Sequence, residues 1–224
     1  MTLLKQMAAH LPSHVQHELK KLYYGLQIKR NRFLTHEPEF AIAAELVKAG
    51  DWVIDVGANV GHYTKRFSEL TGPAGRVIAF EPIPSTFALL AANTRLFANN
   101  NVTLLNAAAS DRTECVGMSI PSFSSGLVNY YEAHLSALAD SELAVLSLGI
   151  DTLGITDRIA LVKIDSEGHE AAVLQGMASI LSRDKPILIV ETGSGEVISS
   201  LESMGYKSER LPGSPNILFK PAIQ

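Results

Sequence analysis

Five short apolar runs, separated by stretches of helical periodicity, constrain this chain more than any other feature. The runs are Trp52–Gly57, Arg76–Glu81, Val102–Leu105, Leu161–Asp165 and Pro186–Glu191. None alternates apolar with polar residues, as a strand with one wet face would, so they read as strands buried on both faces. Between or after them lie helical segments: Val60–Leu70 stopped by Gly72-Pro73, then Pro84–Ala98, Glu170–Leu181 and Glu196–Met204. Strands that alternate with helices imply right-handed crossovers and a mainly parallel sheet with helices on both faces. The expected fold is α/β and doubly wound. Tyr206–Glu209 and Asn216–Phe219 are expected to close the sheet as an antiparallel pair.

Two additions to that plan are legible. Residues 1–50 read as an N-terminal helical extension, and residues 51–224 as the sheet domain, one domain in all. In the extension, Leu3, Leu4, Met7, Leu11, Val15, Leu19 and Leu22 recur at helical spacing over the first 25 or so residues. Pro12 is expected to split them into two helices, and a further helix opens at Thr35–Glu39 and runs to Lys48. The second addition is an insertion before the fourth core strand, Ala107–Ile159. It holds expected strands at Cys115–Ile120 and Ala144–Ile150, a loop at Ser122–Gly126 and a helix near Glu132–Ala139. Tyr130 and Tyr131 lie in this insertion, where lids over substrates are commonly built.

Composition then excludes several classes. Nineteen basic against 23 acidic residues give a net charge of −4, so no nucleic-acid partner is expected. No apolar run reaches the ~18 residues of a membrane span. Lys5, Gln6 and His10 interrupt the apolar residues of Met1–Pro12, so no signal peptide reads there. The lone Cys115 can form neither an internal disulfide nor a multi-thiolate zinc site. It reads as a small buried hydrophobe, and a reducing, cytoplasmic setting is expected. Lys20, Lys21, Lys29, Arg30 and Arg32 read as a solvated basic face. Homo-oligomerisation is compatible with the chain but not written in it.

In a doubly wound sheet, ligands bind beyond the C-terminal strand ends, at the point where strand order reverses. The segment there is Asp55-Val56-Gly57-Ala58-Asn59-Val60-Gly61, followed by His62, Tyr63 and Thr64. Counted from Gly57, the dinucleotide fingerprint G-x-G-x-x-G needs glycines at 59 and 62, where Asn59 and His62 stand. What remains has the shape of an S-adenosylmethionine (SAM) loop, with Asp55 placed to meet a cationic ligand group. Glu81 ends the second strand, 24 residues after Gly57. A carboxylate there can accept from both ribose hydroxyls, a role that serves NAD and SAM alike.

The fourth and fifth strands end on the same crevice edge, in Asp165-Ser166-Glu167-Gly168-His169-Glu170 and in Glu191. Asp165, Glu167, His169 and Glu191 are the candidates for taking a proton from an acceptor hydroxyl. Asp165 and Glu191 are also candidates for holding a divalent cation such as Mg²⁺. The competing reading of Asp165, Ser166, Glu167 and Glu170 is plain helix capping. No Asn/Asp-Pro-Pro-Tyr follows the fourth strand and no Pro-Cys is present, which disfavours methylation of nucleic-acid bases.

Taken in order, these segments resemble the FkbM-type SAM-dependent methyltransferases. The resemblance rests on Asp55–Gly61 with Tyr63 and Thr64, on Phe80-Glu81-Pro82, and on Lys163–Glu170 with Val173-Leu174-Gln175-Gly176. It extends over residues 35–219. It implies a Rossmann-like, class I methyltransferase fold and SAM held by Asp55, Gly57, Ala58, Asn59, Gly61, Tyr63, Thr64, Glu81 and Pro82. Asn106, Ala107 and Ala108 would lie near the adenine. The implied reaction is O-methylation of a hydroxyl on a small molecule such as a sugar or natural product. The alternatives are an NAD-type Rossmann enzyme and a module that binds SAM or a small molecule without turnover.

Overall fold

The computed structural model describes residues 11–120, 134–136, 138–141 and 143–222. Two helices, α1 (Ser13–Lys29) and α2 (Pro38–Leu46), precede β1 (Trp52–Val56). Then follow α3 (His62–Thr71), β2 (Arg76–Phe80), α4 (Pro84–Thr94) and β3 (Val102–Leu105). The middle of the chain supplies β4 (Ala108–Ala109), β5 (Glu114–Ser119), β6 (His134–Ser136) and β7 (Leu143–Leu148). The remainder is β8 (Ile159–Ile164), α5 (Glu170–Gln175), α6 (Ala178–Asp184), β9 (Ile187–Glu191), α7 (Gly195–Ser203), β10 (Tyr206–Arg210) and β11 (Asn216–Pro221).

The main sheet has the order β10-β11-β9-β8-β1-β2-β3. The five strands from β3 to β9 pair in parallel, and β11 and β10 close the edge antiparallel. The order runs outward from β1 to β3 and then resumes at β8 on the other side of β1. The strand order therefore reverses between β1 and β8, which places the crevice at their C-terminal ends.

The apolar runs pack as doubly buried strands must. β8 is buried at every residue, and successive residues feed opposite faces. Ile54, Ile78 and Val162 join the larger core with α5 and α6, whereas Val53, Val77 and Leu161 join Phe67 of α3 and Ala43 of α2 on the other face. A one-residue register slip would exchange these two sets, so the pairing is strongly specified.

Several expectations change. Residues 1–10 lie outside the described residues, and after Pro12 one continuous helix runs to Lys29. The helix expected to reach Lys48 ends at Leu46, because Val47 is extended. The single helix expected over Glu170–Leu181 is two. Its break falls at Gly176, where a Cβ would lie 1.8 Å from the Ser110 carbonyl oxygen. The backbone of Ser110 occupies the space a helical side chain would need.

The insertion forms a sheet of its own, in the order β4-β7-β5-β6. Where a helix was expected near Glu132–Ala139, the described part is strand β6, paired antiparallel with Gly117–Ser119 of β5, then a 3₁₀ turn at Leu138–Asp140. Leu135 thereby reaches the apolar cluster of Ile83, Met118 and Val145. That cluster also corrects the reading of Cys115, which is exposed. Val116 and Met118 face the cluster, so the alternation of β5 turns Cys115 outward. The expected loop at Ser122–Gly126, and Tyr130 and Tyr131, lie outside the described residues. Among the described residues no helix is long and apolar enough to cross a membrane.

Candidate active site

The loop after β1 is tied to the end of β2. The Gly57 and Ala58 amides both donate to the Phe80 carbonyl, at 3.1 and 2.9 Å. Gly57 and Asn59 adopt left-handed conformations, with φ of 76° and 50°. At Gly57 the demand is also steric, since a Cβ would lie 2.0 Å from the Asp165 carbonyl oxygen at the end of β8.

This turn aims the Asn59 amide at Glu81. Asn59 N–H donates to Glu81 Oε2 and Ile83 N–H to Oε1, both at 2.9 Å. Asn106 pins the same corner from behind, donating from Nδ2 to the carbonyls of Glu81 and Pro82. Glu81 is 5% exposed. Burial pushes its carboxyl up to about 7, although the two amide donors pull the other way.

A cleft opens between this corner and the end of β8. Gly57, Asn59, Glu81, Pro82, Ala107 and Ala108 line it together with Asp165, Ser166, Glu167 and His169. Ile83, Met118 and Leu135 complete it with apolar surface. The other candidates stand behind the wall or beside it. Ala58 packs with Ala79 and Leu90, and a Cβ on Gly61 would meet Leu90 at 2.7 Å. Tyr63 donates its hydroxyl to Glu37 Oε2 at 2.6 Å, and Thr64 donates to Asp55 Oδ2 at 2.6 Å. Asp55 is buried, and its Oδ1 has no hydrogen-bond partner among the described residues. Glu191, at the end of β9, lies off the cleft wall and is half-buried.

The residue that sequence reasoning missed is Lys163, one residue before the end of β8. Its Nζ is 3.0 Å from Asp165 Oδ2 and 4.7 Å from the ring centroid of Tyr63, with the side chain 4% exposed. Burial alone would lower the pKa of this ammonium, but Asp165 and Asp55 together carry it above the ordinary lysine value. Asp55 shows the reverse balance: burial raises its carboxyl and Lys163 opposes. A lysine inside an otherwise apolar run was the available signal, because a charge buried on both faces needs partners.

Lys163 also bears on the expected divalent cation. Asp165 and Glu191 do not fit one: Asp165 already takes a fixed ammonium, and no group of three metal-ligating side chains is gathered among the described residues. His169 precedes α5, and its Nε2 is 2.9 Å from Ser110 Oγ. Burial holds its imidazole below the ordinary histidine value, against the raising influence of Asp111 and Glu170.

Glu81 and Glu191 supply a stability signature. Both carboxyls are raised from 4.5 to about 7, burial being the main cause in each. The folded state therefore holds more protons than the unfolded chain in this window. Their contribution is full below about 4.5 and is lost as pH rises towards about 7. Glu191→Gln is expected to make the fall in unfolding midpoint between those pH values shallower. An unchanged slope in a pH series of thermal melts would contradict this assignment.

Comparison with known proteins follows the same geometry. A chain described as methyltransferase FkbM from Methylobacillus flagellatus KT superposes with a TM-score of 0.55 at 18% identity, covering 96% of this chain and 57% of that one. Aeropyrum pernix fibrillarin, in complex with natively bound S-adenosyl-L-methionine, superposes with a TM-score of 0.50 at 15% identity, over 78% of this chain and 67% of that one. At such identities the likeness concerns the fold, that of class I SAM methyltransferases. A protein-L-isoaspartate O-methyltransferase of Ignicoccus hospitalis is 31% identical over 70 residues, which is 31% of this chain and 33% of that protein. This chain thus spans well under two thirds of the first and last of these. Residues 55–208, from Asp55 through the strand ends described above to β10, match the methyltransferase FkbM domain, and the chain belongs to that family.

Proposed function

We propose that this protein transfers a methyl group from SAM to a hydroxyl oxygen of a small acceptor, a sugar or a natural product. One observation carries the reading: Glu81 at the end of β2 and His169 beyond the end of β8 line a single cleft. The residues fit the cofactor. An ionised carboxylate has about four acceptor sites, and the Asn59 and Ile83 amides use two of them on Glu81. The rest can accept from ribose hydroxyls. Ile83, Ala107, Ala108 and Met118 offer apolar surface for a nucleobase. Gly57 and Asn59 line the same cleft, and their backbone would meet the amino-acid end.

When bound, SAM supplies a methyl already activated on a sulfonium. The chain's own task is then chiefly to orient the acceptor and receive its proton, and orientation alone can account for much of the rate. The uncharged imidazole at the cleft wall favours a hydroxyl acceptor, whose proton must leave as the new bond forms.

The test pairs calorimetry with turnover. Above about pH 7, where Glu81 is ionised, Glu81→Ala removes a charged acceptor worth about 1.5–3 kcal/mol, roughly 10–100-fold in SAM affinity. Asp55→Ala is expected to weaken SAM as well. Unchanged affinity in both variants would overturn the site assignment. NAD should give no thermal shift where SAM gives one. Incubation with SAM and a panel of hydroxylated compounds should yield a mono-methylated product by mass spectrometry; binding without turnover points to the non-catalytic alternative, and methylation of RNA alone overturns the small-molecule acceptor. Since Lys163 rather than a metal partners Asp165, product formation is expected to persist through EDTA treatment. Loss of activity on chelation, restored by Mg²⁺, would refute that.

A further inference from the structure

We propose that Ser110 and Asp111 are positioning residues that hold the proton of His169 on Nε2, leaving Nδ1 to accept the proton of a polyhydroxylated acceptor seated against the small sheet. This rests on the methyl transfer proposed above and names the group that would serve it.

The argument begins with donor arithmetic. Ser110 is 5% exposed, and its Oγ lies 3.1 Å from Asp111 Oδ1 and 2.9 Å from His169 Nε2. A hydroxyl has one proton, and a carboxylate oxygen can only accept. If the Ser110 proton goes to Asp111, Oγ must accept from His169, so the hydrogen sits on Nε2. In the neutral ring the lone pair is then on Nδ1. No other hydrogen bond of the ring is present among the described residues. Burial keeps the imidazole uncharged near neutral pH, the form a base requires.

Placement supplies the second observation. His169 is a shared wall: it lines the SAM-type cleft and also an open cleft bounded by Ser110, Asp111, Arg112, Glu114, Leu135 and Ser136. The second cleft presents carboxylates and a guanidinium from the β4–β5 segment, and from β6 the Ser136 hydroxyl, buried without a hydrogen-bond partner among the described residues. Donors and acceptors mixed in this way suit a ligand rich in hydroxyls. In the transfer, the O–H proton passes to Nδ1, the oxygen lone pair forms the bond to the methyl carbon, and the carbon–sulfur electron pair departs with sulfur.

The experiment reads the ring directly in the ligand-free protein, then in turnover. Imidazole ¹⁵N NMR, with the resonance assigned by its loss in His169→Gln, should show the neutral Nε2–H tautomer in the wild type. Ser110→Ala should abolish that preference, lower kcat roughly tenfold or more, and leave SAM affinity unchanged; tautomer errors and base removal fall within the roughly 10²–10⁴-fold range of proton-transfer catalysis. Asp111→Asn keeps an acceptor for Ser110 but removes a charge that raises the His169 pKa. The tautomer should survive, and the acid limb of the kcat/KM profile should move to lower pH. The other charged groups about the ring are retained in both variants: Glu170 of α5, Arg112 and Glu114 across the open cleft, and Glu81, Asp165 and Glu167 in the SAM-type cleft, although Asp111→Asn also releases Arg112 from its ion pair. A Nδ1–H tautomer in an active wild type, or a Ser110→Ala variant with wild-type NMR signature and pH profile, overturns the relay alone. A wild type that binds SAM and methylates no hydroxyl overturns the transfer itself, and with it the base role of Nδ1.

Discussion

Lys163→Met is expected to destabilise the protein by about 3–5 kcal/mol, the usual cost of removing one partner from a buried ion pair. The physical cause lies in Asp55 more than in Asp165. Asp165 keeps some access to water, its side chain being 31% exposed. Among the described residues, Asp55, 1% exposed, is hydrogen-bonded only to Thr64 through Oδ2, and its other oxygen has no hydrogen-bond partner. Without the ammonium it must either stay charged in apolar surroundings or take up a proton. Protonation is the cheaper response, so losing the ammonium carries the already raised Asp55 carboxyl further up, and the folded variant keeps a proton to higher pH than the wild type does. Its stability deficit should therefore be smallest at low pH, where Asp55 is protonated in both proteins, and grow with pH once the wild-type carboxyl ionises. Urea unfolding across pH checks both points. A cost below about 1 kcal/mol at neutral pH, smaller than a typical lost hydrogen bond to a charge, would show that Lys163 is not the counter-charge. Adding Asp55→Asn to Lys163→Met should recover part of the loss, since it removes the stranded carboxylate.

Gly57→Ala is expected to be as severe. The position has φ of 76° and a Cβ there would sit 2.0 Å from the Asp165 carbonyl oxygen. The left-handed conformation alone costs an L-residue roughly 1–2 kcal/mol. The overlap is with backbone, which cannot swing aside, so the loop must move off the end of β8. A total near the upper tail for single substitutions, about 4–5 kcal/mol, is expected. The same displacement would withdraw the Asn59 amide from Glu81, so any folded fraction should bind SAM weakly. Thermal melts with and without SAM test this. A variant with a near-wild-type midpoint and SAM-induced shift would disprove the tight seating of the β1 loop.

Local pattern made the frame of the molecule readable. Buried parallel strands need continuous apolar runs, and such runs end where the chain must turn. Hence β1, β2, β3, β8 and β9 were visible, as were Gly57, Asn59 and Glu81 at the strand ends. The closing pair was visible for the same reason. The insertion was legible only in part. Its strands are short, and the residue that turned an expected helix into β6, Leu135, does so by covering Ile83 and Met118 from elsewhere in the chain. The exposure of Cys115 followed from that unforeseen pairing.

The candidate site divides along the same line. Single residues of suitable chemistry could be picked from the sequence, but not which of them share a wall. Tyr63 and Thr64 are motif neighbours of the loop, yet they serve Glu37 and Asp55 behind it. By itself, the sequence determined the parallel sheet, the reversal point beside β1 and the carboxylate at the end of β2, because each depends on residues adjacent in the chain. Only the tertiary structure decided that Lys163 lies beside Asp55 on the neighbouring strand, and that Ser110 reaches His169 across 59 positions. Those assignments depend on distances between segments far apart in sequence, and electrostatic and hydrogen-bond energies are set by distance and burial rather than by order along the chain.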